Sequence, residues 1–417
     1  MPPVGLYLHI PFCTHRCAYC DFNTYARYEH LIPAYVHALK REIEILGANA
    51  PSDLEVCTVY LGGGTPSLLS PSQLAVLLNQ IRASFKILPG TETTIEANPD
   101  TVTESDLASI RELGVDRISF GAQSTNPEEL RLLERTHDFV VVINAVAAAR
   151  RAGFTNLNLD LIFGLPGQSV ASWQRSVRRI LDLEPEHVSA YGLTLEHGTP
   201  FSKWVGRGLV AAPDPDVAAE MYEAAGDELA AAGLRQYEIS NWARPGRECL
   251  HNLQYWRGLA YLGLGAGAHG YWGGMRTSNV LRIATYIERM NERRSKAAPN
   301  AYPLSPSTVS HHRQSEEDER TDFMLMRLRL TSEGVPAAVF QERFGRALSE
   351  TYDGQISELQ AHGLVEWSEN RTSEDDSSSD VLRLTKRGRL LGNQVFMRFI
   401  ESEADLPAAG PPRSDAE

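Results

Sequence analysis

Between residue 6 and about residue 240 the chain alternates short β-rich runs with amphipathic stretches, and this alternation limits the fold more than any other feature. The runs are LYLHI, VCTVYLGG, TTIEAN, DRISFGAQ, LNLDLIFGL, HVSAYGLTL and QYEIS. Within one amphipathic stretch, Leu107, Ile110 and Leu113 recur at the spacing of one helix face. Repeated alternation of strand and helix predicts a parallel sheet whose strands are connected by crossover helices.

Polar residues gather at the carboxyl ends of these runs, which is the end where parallel α/β folds build their sites. They lie at 62–65 and 96–98 and at Gln123, Ser124, Asp160, Thr194 and Glu196. A (β/α) barrel and a doubly wound sheet both satisfy the alternation. Because so many successive strands contribute polar residues, we favour an α/β fold with a complete or partial (β/α) barrel.

The pattern changes after about residue 300. A polar link leads into DFMLMRLRL, helical stretches follow, and the runs LVEW and VLRLT flank a Ser-, Asp- and Glu-rich insert over 369–380. Helices followed by two short β runs predict a small C-terminal α+β domain that resembles a winged helix. We therefore predict a barrel over 1–240, a segment that completes it over 241–305, the winged-helix-like domain over 306–400 and a disordered tail over 401–417.

The charge balance excludes some classes of partner. The chain has 53 acidic and 40 basic residues, for a formal net charge of -13. Such a chain binds a phosphate backbone or an anionic membrane poorly, so we expect no nucleic-acid partner. The longest apolar stretch, over 139–149, is too short for a bilayer, and the start MPPVGLYLHIPFC lacks the pattern of a secretory signal. We expect a cytoplasmic protein without an integral membrane segment.

Three of the five cysteines, Cys13, Cys17 and Cys20, fall in one C-x3-C-x2-C segment. Thiolates at this spacing suit an iron-sulfur cluster in which the fourth iron stays open to a small-molecule ligand. A zinc knuckle would need a fourth ligand and a second ligand pair, which the sequence does not display. A thioredoxin-like pair would leave Cys13 unexplained, and c-type haem attachment needs a histidine where Asp21 stands. The three cysteines are therefore the predicted metal ligands.

With Tyr19 before its last cysteine, this segment resembles the cluster motif of the radical S-adenosylmethionine (SAM) superfamily. The resemblance implies a partial, TIM-like (β/α) barrel, a [4Fe-4S] cluster, and SAM bound to the open iron through its amino and carboxylate groups. In that superfamily an electron from the cluster cleaves SAM to a 5'-deoxyadenosyl radical.

Further matches extend the resemblance to the coproporphyrinogen III oxidase-like branch of the superfamily, over roughly residues 4 to 400. The run at 62–66 resembles the GGGTP element, whose glycines let the backbone approach the methionyl amino group. The resemblance implies SAM contacts from Tyr7, Tyr19, Gly63, Gly64, Thr65, Glu96, Gln123, Arg135 and Asp160. Taken singly, each polar residue of this set is also explained as a strand end or helix cap, and it is their joint order that resembles the family.

The hexapeptide HNLQYW, which begins at His251, offers an imidazole that can ligate iron and aromatic rings that can pack on a flat macrocycle. A capped turn with a buried tryptophan explains the same residues. The pattern H-N-x-x-Y-W, however, resembles the haem-binding motif of the HemW family of haem chaperones, which implies that His251 helps to bind haem. Phe22 points the same way, because coproporphyrinogen III oxidases of the HemN type carry a fourth cysteine there.

We therefore expect a haem chaperone that carries a SAM-ligated [4Fe-4S] cluster, binds haem and transfers it to an unidentified acceptor protein. No catalytic residue is assigned, and enzymatic activity and a homo-oligomeric state are left open. Two alternatives remain: a radical SAM enzyme that acts on a tetrapyrrole such as coproporphyrinogen III, and a zinc-stabilised binding module. The segment GAGAHG at 265–270 matches a dinucleotide-binding pattern, but YWGG follows it instead of a helix, so we reject that assignment.

Overall fold

The computed structural model describes residues 2–292, 302–369 and 380–400. The chain divides into two compact units, 1–315 and 316–417, which are described separately. The tail over 401–417 and most of the acidic insert over 369–380 lie outside the described residues. Within the described residues, no helix has the length and apolar character needed to span a bilayer.

One sheet of twelve strands forms the frame of the first unit. In chain order its strands are β1 (Val4–Ile10), β2 (Glu55–Gly63), β3 (Lys86–Ala97), β4 (Arg117–Gln123), β5 (Leu157–Phe163), β6 (His187–Gly192), β7 (Arg235–Glu238), β8 (Asn241–Ala243), β9 (Tyr261–Leu264), β10 (His269–Trp272), β11 (Met275–Asn279) and β12 (Thr308–Arg313). Across the sheet they follow the order β12-β11-β10-β9-β1-β2-β3-β4-β5-β6-β8-β7.

Strands β1 to β6 are neighbours in the same order as in the sequence, and each runs parallel to the next. A (β/α) barrel has this order, whereas a doubly wound sheet reverses it at a switch point. Strand β9 adds a parallel neighbour to β1, and the remaining strands extend both ends by antiparallel pairing. Among the described residues no strand pairing joins β7 to β12. The first unit is thus a partial (β/α) barrel, as predicted.

The helices of the first unit follow the strands, and most of them contribute apolar side chains to one buried cluster with the sheet. They are α1 (Ile32–Asn49), α2 (Pro71–Ser84), α3 (Glu104–Glu112), α4 (Pro127–Leu132), α5 (Phe139–Arg151), α6 (Val170–Leu181), α7 (Pro200–Gly206), α8 (Pro215–Ala231), α9 (Leu250–Trp256) and α10 (Ile283–Asn291). In α3, Leu107 and Ile110 are buried as the helical spacing predicts, and the Thr103 hydroxyl caps the first turn by accepting the Asp106 N–H.

The parallel strands turn alternate side chains to opposite sides of the sheet. In β4, Ile118 and Phe120 join the apolar cluster with the helices, while Arg117 and Ser119 line an interior cavity. Other strands place polar residues on the same interior side, namely Thr58, Tyr60, Glu96, Asn158, Asp160 and Ser189. A polar interior inside an apolar shell allows the barrel to enclose a polar ligand.

The second unit is a small α+β domain. Its elements are α11 (Glu316–Arg327), β13 (Val335–Pro336), α12 (Ala337–Phe344), α13 (Leu348–Thr351), α14 (Asp353–Ala361), β14 (Val365–Glu369), β15 (Asp380–Leu384), α15 (Lys386–Leu390) and α16 (Gly392–Met397). The strands form an antiparallel sheet in the order β13-β15-β14. The succession of helix, strand, helices and strand pair is that of a winged helix, as predicted. Its core holds the rings of Phe323, Phe340 and Tyr352.

Candidate cofactor site

The loop that carries the three cysteines leaves the carboxyl end of β1 and is closed at its base. Phe12–Cys13 pairs in parallel with Tyr25–Ala26, and the Tyr25 N–H donates to the Pro11 carbonyl at 2.7 Å. Further along, the Cys20 N–H donates to the Cys17 carbonyl at 3.1 Å. The backbone thus holds all three cysteines on one short loop.

Each cysteine sulfur has a neighbouring polar group. The Thr65 hydroxyl donates to Cys13 Sγ at 3.6 Å, and Arg135 Nη1 donates to Cys17 Sγ at 3.4 Å. Cys20 Sγ lies 3.8 Å from the hydroxyl of Thr24. Burial raises the pKa of Cys13 to about 11, against the opposing effect of the Thr65 hydroxyl. Donors and a guanidinium around the sulfurs favour their thiolate forms when a metal is bound.

A cavity of about 470 Å³ lies at the carboxyl ends of β2 to β6, and all three cysteines line it. Most of the predicted SAM contacts line it as well, namely Tyr19, Gly63, Gly64, Thr65, Glu96, Gln123, Arg135 and Asp160. Two predicted residues, Tyr7 and His251, are not among its lining residues. The structure therefore brings eight of the ten predicted cofactor-binding residues together with the cysteines.

The glycine run docks directly on the base of the cysteine loop. The Gly64 N–H donates to the Ile10 carbonyl at 2.9 Å, and a Cβ at Gly64 would lie 2.6 Å from the Phe12 carbonyl oxygen. Gly63 has a φ of +112°, and a Cβ there would lie 2.5 Å from the ring of His9. Only residues without a side chain allow this approach.

Glu96 presents its carboxyl group to the cavity from the end of β3. Its Oε1 accepts the Tyr60 hydroxyl at 2.7 Å, and its Oε2 accepts the Gly63 N–H at 3.0 Å. Burial raises the pKa of Glu96 to about 7, and the negative charge of Asp160 adds to the increase. Such a carboxyl group suits an amino group, whose N–H donors would favour its ionised form.

Asp160 and Gln123 occupy the adjoining wall. Asp160 accepts the Ser119 hydroxyl at 3.0 Å and an Asn158 amide N–H at 2.7 Å, and burial raises its pKa. Gln123 ends β4 with a φ of +64°, which is uncommon for a residue with a side chain. The two hydrogen bonds fix the carboxyl group of Asp160 in the cavity wall.

Arg135 joins the cysteine loop to two strand ends. Its Nη2 donates to the Asn98 side-chain oxygen and to the Gly121 carbonyl, both at 2.8 Å. Its Nε is buried and has no hydrogen-bond partner among the described residues. A guanidinium with an unused donor in a cavity wall suits a carboxylate ligand.

His251 lies behind the cavity wall at the start of α9 and is 1% exposed. Its Nδ1 bonds the Thr58 hydroxyl at 2.8 Å, and its Nε2 bonds the Tyr255 hydroxyl at 2.8 Å. Burial lowers the pKa of His251 to about 3, and the positive charge of Arg117 adds to the decrease. The ring is therefore neutral and enclosed, and neither nitrogen is open to a metal in this arrangement.

Tyr7 occupies the same interior layer. His9 Nε2 donates to the Asn23 carbonyl at 2.9 Å, so His9 Nδ1 is left to accept the Tyr7 hydroxyl at 3.0 Å. The ring of Tyr7 is stacked with the rings of Tyr60 and His251, at centroid distances of 6.2 Å and 6.3 Å. Tyr7 thus supports the cysteine loop through His9 and contacts the ring beside the cavity.

Several lining residues were not predicted from the sequence. They are Tyr60, Arg117, Asn158, Ser189 and Tyr191. Most lie on the interior side of a strand, below its carboxyl end. The alternation of polar and apolar residues within each run carries that signal, since polar positions two apart share a face.

The glycines of GAGAHG have a packing role. A Cβ at Gly265 would lie 2.6 Å from the His9 carbonyl oxygen, and a Cβ at Gly267 would lie 2.4 Å from the Asn23 side-chain nitrogen. Asn23 in turn donates to the Ala266 carbonyl at 3.1 Å. The segment therefore braces the end of the cysteine loop.

The donor set fits an iron-sulfur cluster with a ligand at its open iron. Three thiols share one loop, an open cavity adjoins them, and Arg135 and Glu96 line that cavity. Within residues 2–292, 302–369 and 380–400, no three His, Cys, Asp or Glu side chains converge as a single metal ion requires.

Comparison with known proteins agrees with this geometry. The model of the radical SAM superfamily matches residues 7–180, and that of the HemN C-terminal domain matches residues 314–391. Membership of the superfamily implies SAM and a [4Fe-4S] cluster. The structure of coproporphyrinogen III oxidase (HemN) from Escherichia coli aligns with a TM-score of 0.78 at 23% identity, over 95% of this chain and 90% of that one. At that identity the likeness shows the fold alone.

Two relatives align over almost their full length. The heme chaperone HemW of Bacillus subtilis (strain 168) is 37% identical over 396 residues, which span 94% of this chain and 98% of that protein. The heme chaperone HemW of Mycobacterium tuberculosis (strain ATCC 25618 / H37Rv) is 41% identical over 403 residues, which span 95% of each. The chain therefore belongs to the HemW family of the radical SAM superfamily.

Proposed function

We propose that this protein is a haem chaperone that carries a SAM-ligated [4Fe-4S] cluster, binds haem and passes it to an acceptor protein. The observation that carries the proposal is its near full-length similarity to proteins named heme chaperone HemW. The HNLQYW motif at His251 supports it. Phe22, which stands where HemN-type oxidases carry a fourth cysteine, lines the cavity and favours a chaperone over a porphyrinogen oxidase.

Cys13, Cys17 and Cys20 are the proposed ligands of the cluster. Thr65 and Arg135 already donate to two of the sulfurs, and these donors would stabilise the negative charge of the thiolates. When bound, the cluster and SAM supply one-electron and radical chemistry to the site. The residues around them hold, orient and shield that chemistry.

The family resemblance implies the proposed contacts with SAM, and the chemistry of each cavity wall supports them. The carboxyl group of Glu96 suits the amino group, and the guanidinium of Arg135 suits the carboxylate. The backbone at Gly63 and Gly64 leaves room for a close approach, and the ring of Tyr19 offers an apolar face for the adenine. Gln123 and Asp160 add hydrogen-bonding groups along the remaining wall.

His251 is the proposed residue that helps to bind haem. In the enclosed arrangement its ring bonds Thr58 and Tyr255, so these two hydrogen bonds must break before a nitrogen can reach the haem iron. Haem binding is therefore proposed to include a movement of α9. A chaperone must release its cargo, and a ligand with a competing internal position makes the bound state reversible.

The test uses one anaerobic sample of the reconstituted protein with SAM and a reductant. Haem is titrated into one portion and followed by its visible absorption, and coproporphyrinogen III is incubated with another and followed by product analysis. The proposal expects saturable haem binding and no conversion of coproporphyrinogen. Formation of protoporphyrinogen would assign the protein to the enzymatic alternative, and zinc in place of iron and sulfide would assign it to a zinc-stabilised module.

A further inference from the structure

Tyr60 lies between the cavity and the enclosed histidine. Its ring stacks on the ring of His251, with the ring centroids 5.0 Å apart and an interplanar angle of 22°. Its hydroxyl donates to Glu96 Oε1 at 2.7 Å. Glu96 in turn holds the Gly63 N–H at 3.0 Å. One side chain therefore contacts both the proposed haem ligand and the proposed partner of the SAM amino group.

The enclosed position of His251 depends on its neighbours. Two hydrogen bonds to the hydroxyls of Thr58 and Tyr255 hold the ring nitrogens, and the stack on Tyr60 holds the ring face. A ring that moves away to bind iron must leave these contacts. The alternative positions of His251 are thus an enclosed one, which is described here, and a released one.

The Tyr60–Glu96 hydrogen bond links that choice to the cavity. A hydrogen bond to an ionised carboxylate is roughly twice as strong as one between neutral groups. An amino group that donates its N–H bonds to Glu96 favours the ionised form of that carboxyl group, so it strengthens the hydrogen bond from Tyr60. A more firmly held Tyr60 favours the ring stack on His251 and hence the enclosed position.

We propose that Tyr60 is a positioning residue that couples the two sites, so that SAM in the cavity opposes the release of His251 for haem. The inference rests on the proposed function and specifies its regulation. By thermodynamic reciprocity, haem on His251 weakens SAM binding by the same factor. A single aromatic stack changes an equilibrium by about three- to tenfold, and the coupling is of that size.

The experiment measures the dissociation constant of SAM anaerobically, by equilibrium dialysis, with the cluster-loaded protein free of haem and saturated with haem. Wild-type protein is expected to bind SAM about three- to tenfold more weakly when haem is present. Tyr60→Phe keeps the ring and removes the hydroxyl, so the ratio of the two constants should fall to about one. Tyr352→Phe makes the same chemical change in the core of the second unit, at a residue that does not line the cavity, and should keep the wild-type ratio.

Two outcomes would overturn the inference while leaving the proposed function intact. One is equal SAM affinity with and without haem in wild-type protein that binds both, a result that does not depend on how any variant folds. The other is a wild-type ratio in a Tyr60→Phe protein that binds both ligands. Failure of the wild-type protein to bind haem would instead overturn the proposed function, and the inference with it.

Discussion

The cavity and the HNLQYW segment carry the two motifs on which the proposed function rests. The side chains of the cavity are available to a ligand, whereas His251 of the segment is enclosed. Around the cavity, Arg135 keeps an unused donor and Glu96 has a pKa of about 7 in a space of about 470 Å³. In the segment, His251 is 1% exposed, and both of its nitrogens are hydrogen-bonded. The proposed cofactor site is therefore preformed, whereas the proposed haem ligand would have to leave its enclosed position.

The difference follows from where each motif lies in the barrel. The cysteine loop and the glycine turn follow the ends of β1 and β2, where the chain leaves the sheet and lines the cavity. His251 lies beside the interior side of the sheet, where Thr58 and Tyr60 of β2 enclose it. The barrel interior can thus hold His251 in its neutral form, with both ring nitrogens hydrogen-bonded.

The largest effect is expected for Cys17→Ala, which removes one of three proposed cluster ligands. We expect the reconstituted protein to lose its iron, its acid-labile sulfide and its brown colour, because two thiolates on a loop do not hold a cubane. The matched control is Cys57→Ala, a cysteine on β2 outside the loop, which should keep all three. Unchanged iron content in Cys17→Ala, with circular dichroism as in wild type, would contradict the assignment.

The preformed state of the cavity is tested by Gly64→Ala. The added Cβ would lie 2.6 Å from the Phe12 carbonyl oxygen and would push the glycine turn away from the cysteine loop. We expect SAM to bind about ten- to hundredfold more weakly. Gly226→Ala in α8, where a Cβ meets no atom within 4 Å, should bind SAM as wild type does. Equal affinities of the two variants would show that the turn is not a rigid part of the site.

The enclosed state of His251 is tested by the stability of the protein without cofactors. His251→Ala leaves a cavity and removes the partners of Thr58 and Tyr255, so the free energy of unfolding should fall by about 2 kcal/mol. His312→Ala, on the exposed strand β12, should change it by less than about 0.5 kcal/mol. Denaturant titrations measure both values. The same His251→Ala protein should bind haem more weakly than wild type.

The smallest effect is a pH dependence of SAM binding. Burial raises the pKa of Glu96 to about 7, so this carboxyl is largely protonated below that pH and carries its charge only above it. Its attraction for the SAM amino group therefore grows as the pH rises, and SAM should bind up to about tenfold more tightly at about pH 8 than at about pH 6. Glu96→Gln should bind SAM weakly with a flat profile. A flat profile in wild type would contradict this role of Glu96.

The fold and most of the cavity could be predicted from the sequence because both leave local sequence patterns. The alternation of β runs and helices predicted the barrel, and polar residues at strand ends such as Glu96 and Asp160 predicted the cavity wall. Sequence reasoning missed Tyr60 and Arg117, which lie lower on their strands, where a polar residue inside a run gives only a weak signal. It could not predict that His251 is enclosed, because its partner Thr58 is 193 residues away in the chain.

The central claim is that haem binding draws an enclosed histidine out of a barrel whose cofactor cavity is already formed. Hydrogen-deuterium exchange of the cluster-loaded protein, read at the backbone amides of α9, tests it directly. We predict slow exchange at Leu253 and its neighbours without haem, and faster exchange once haem is bound. Saturable haem binding with no change in the exchange of α9 would contradict the account.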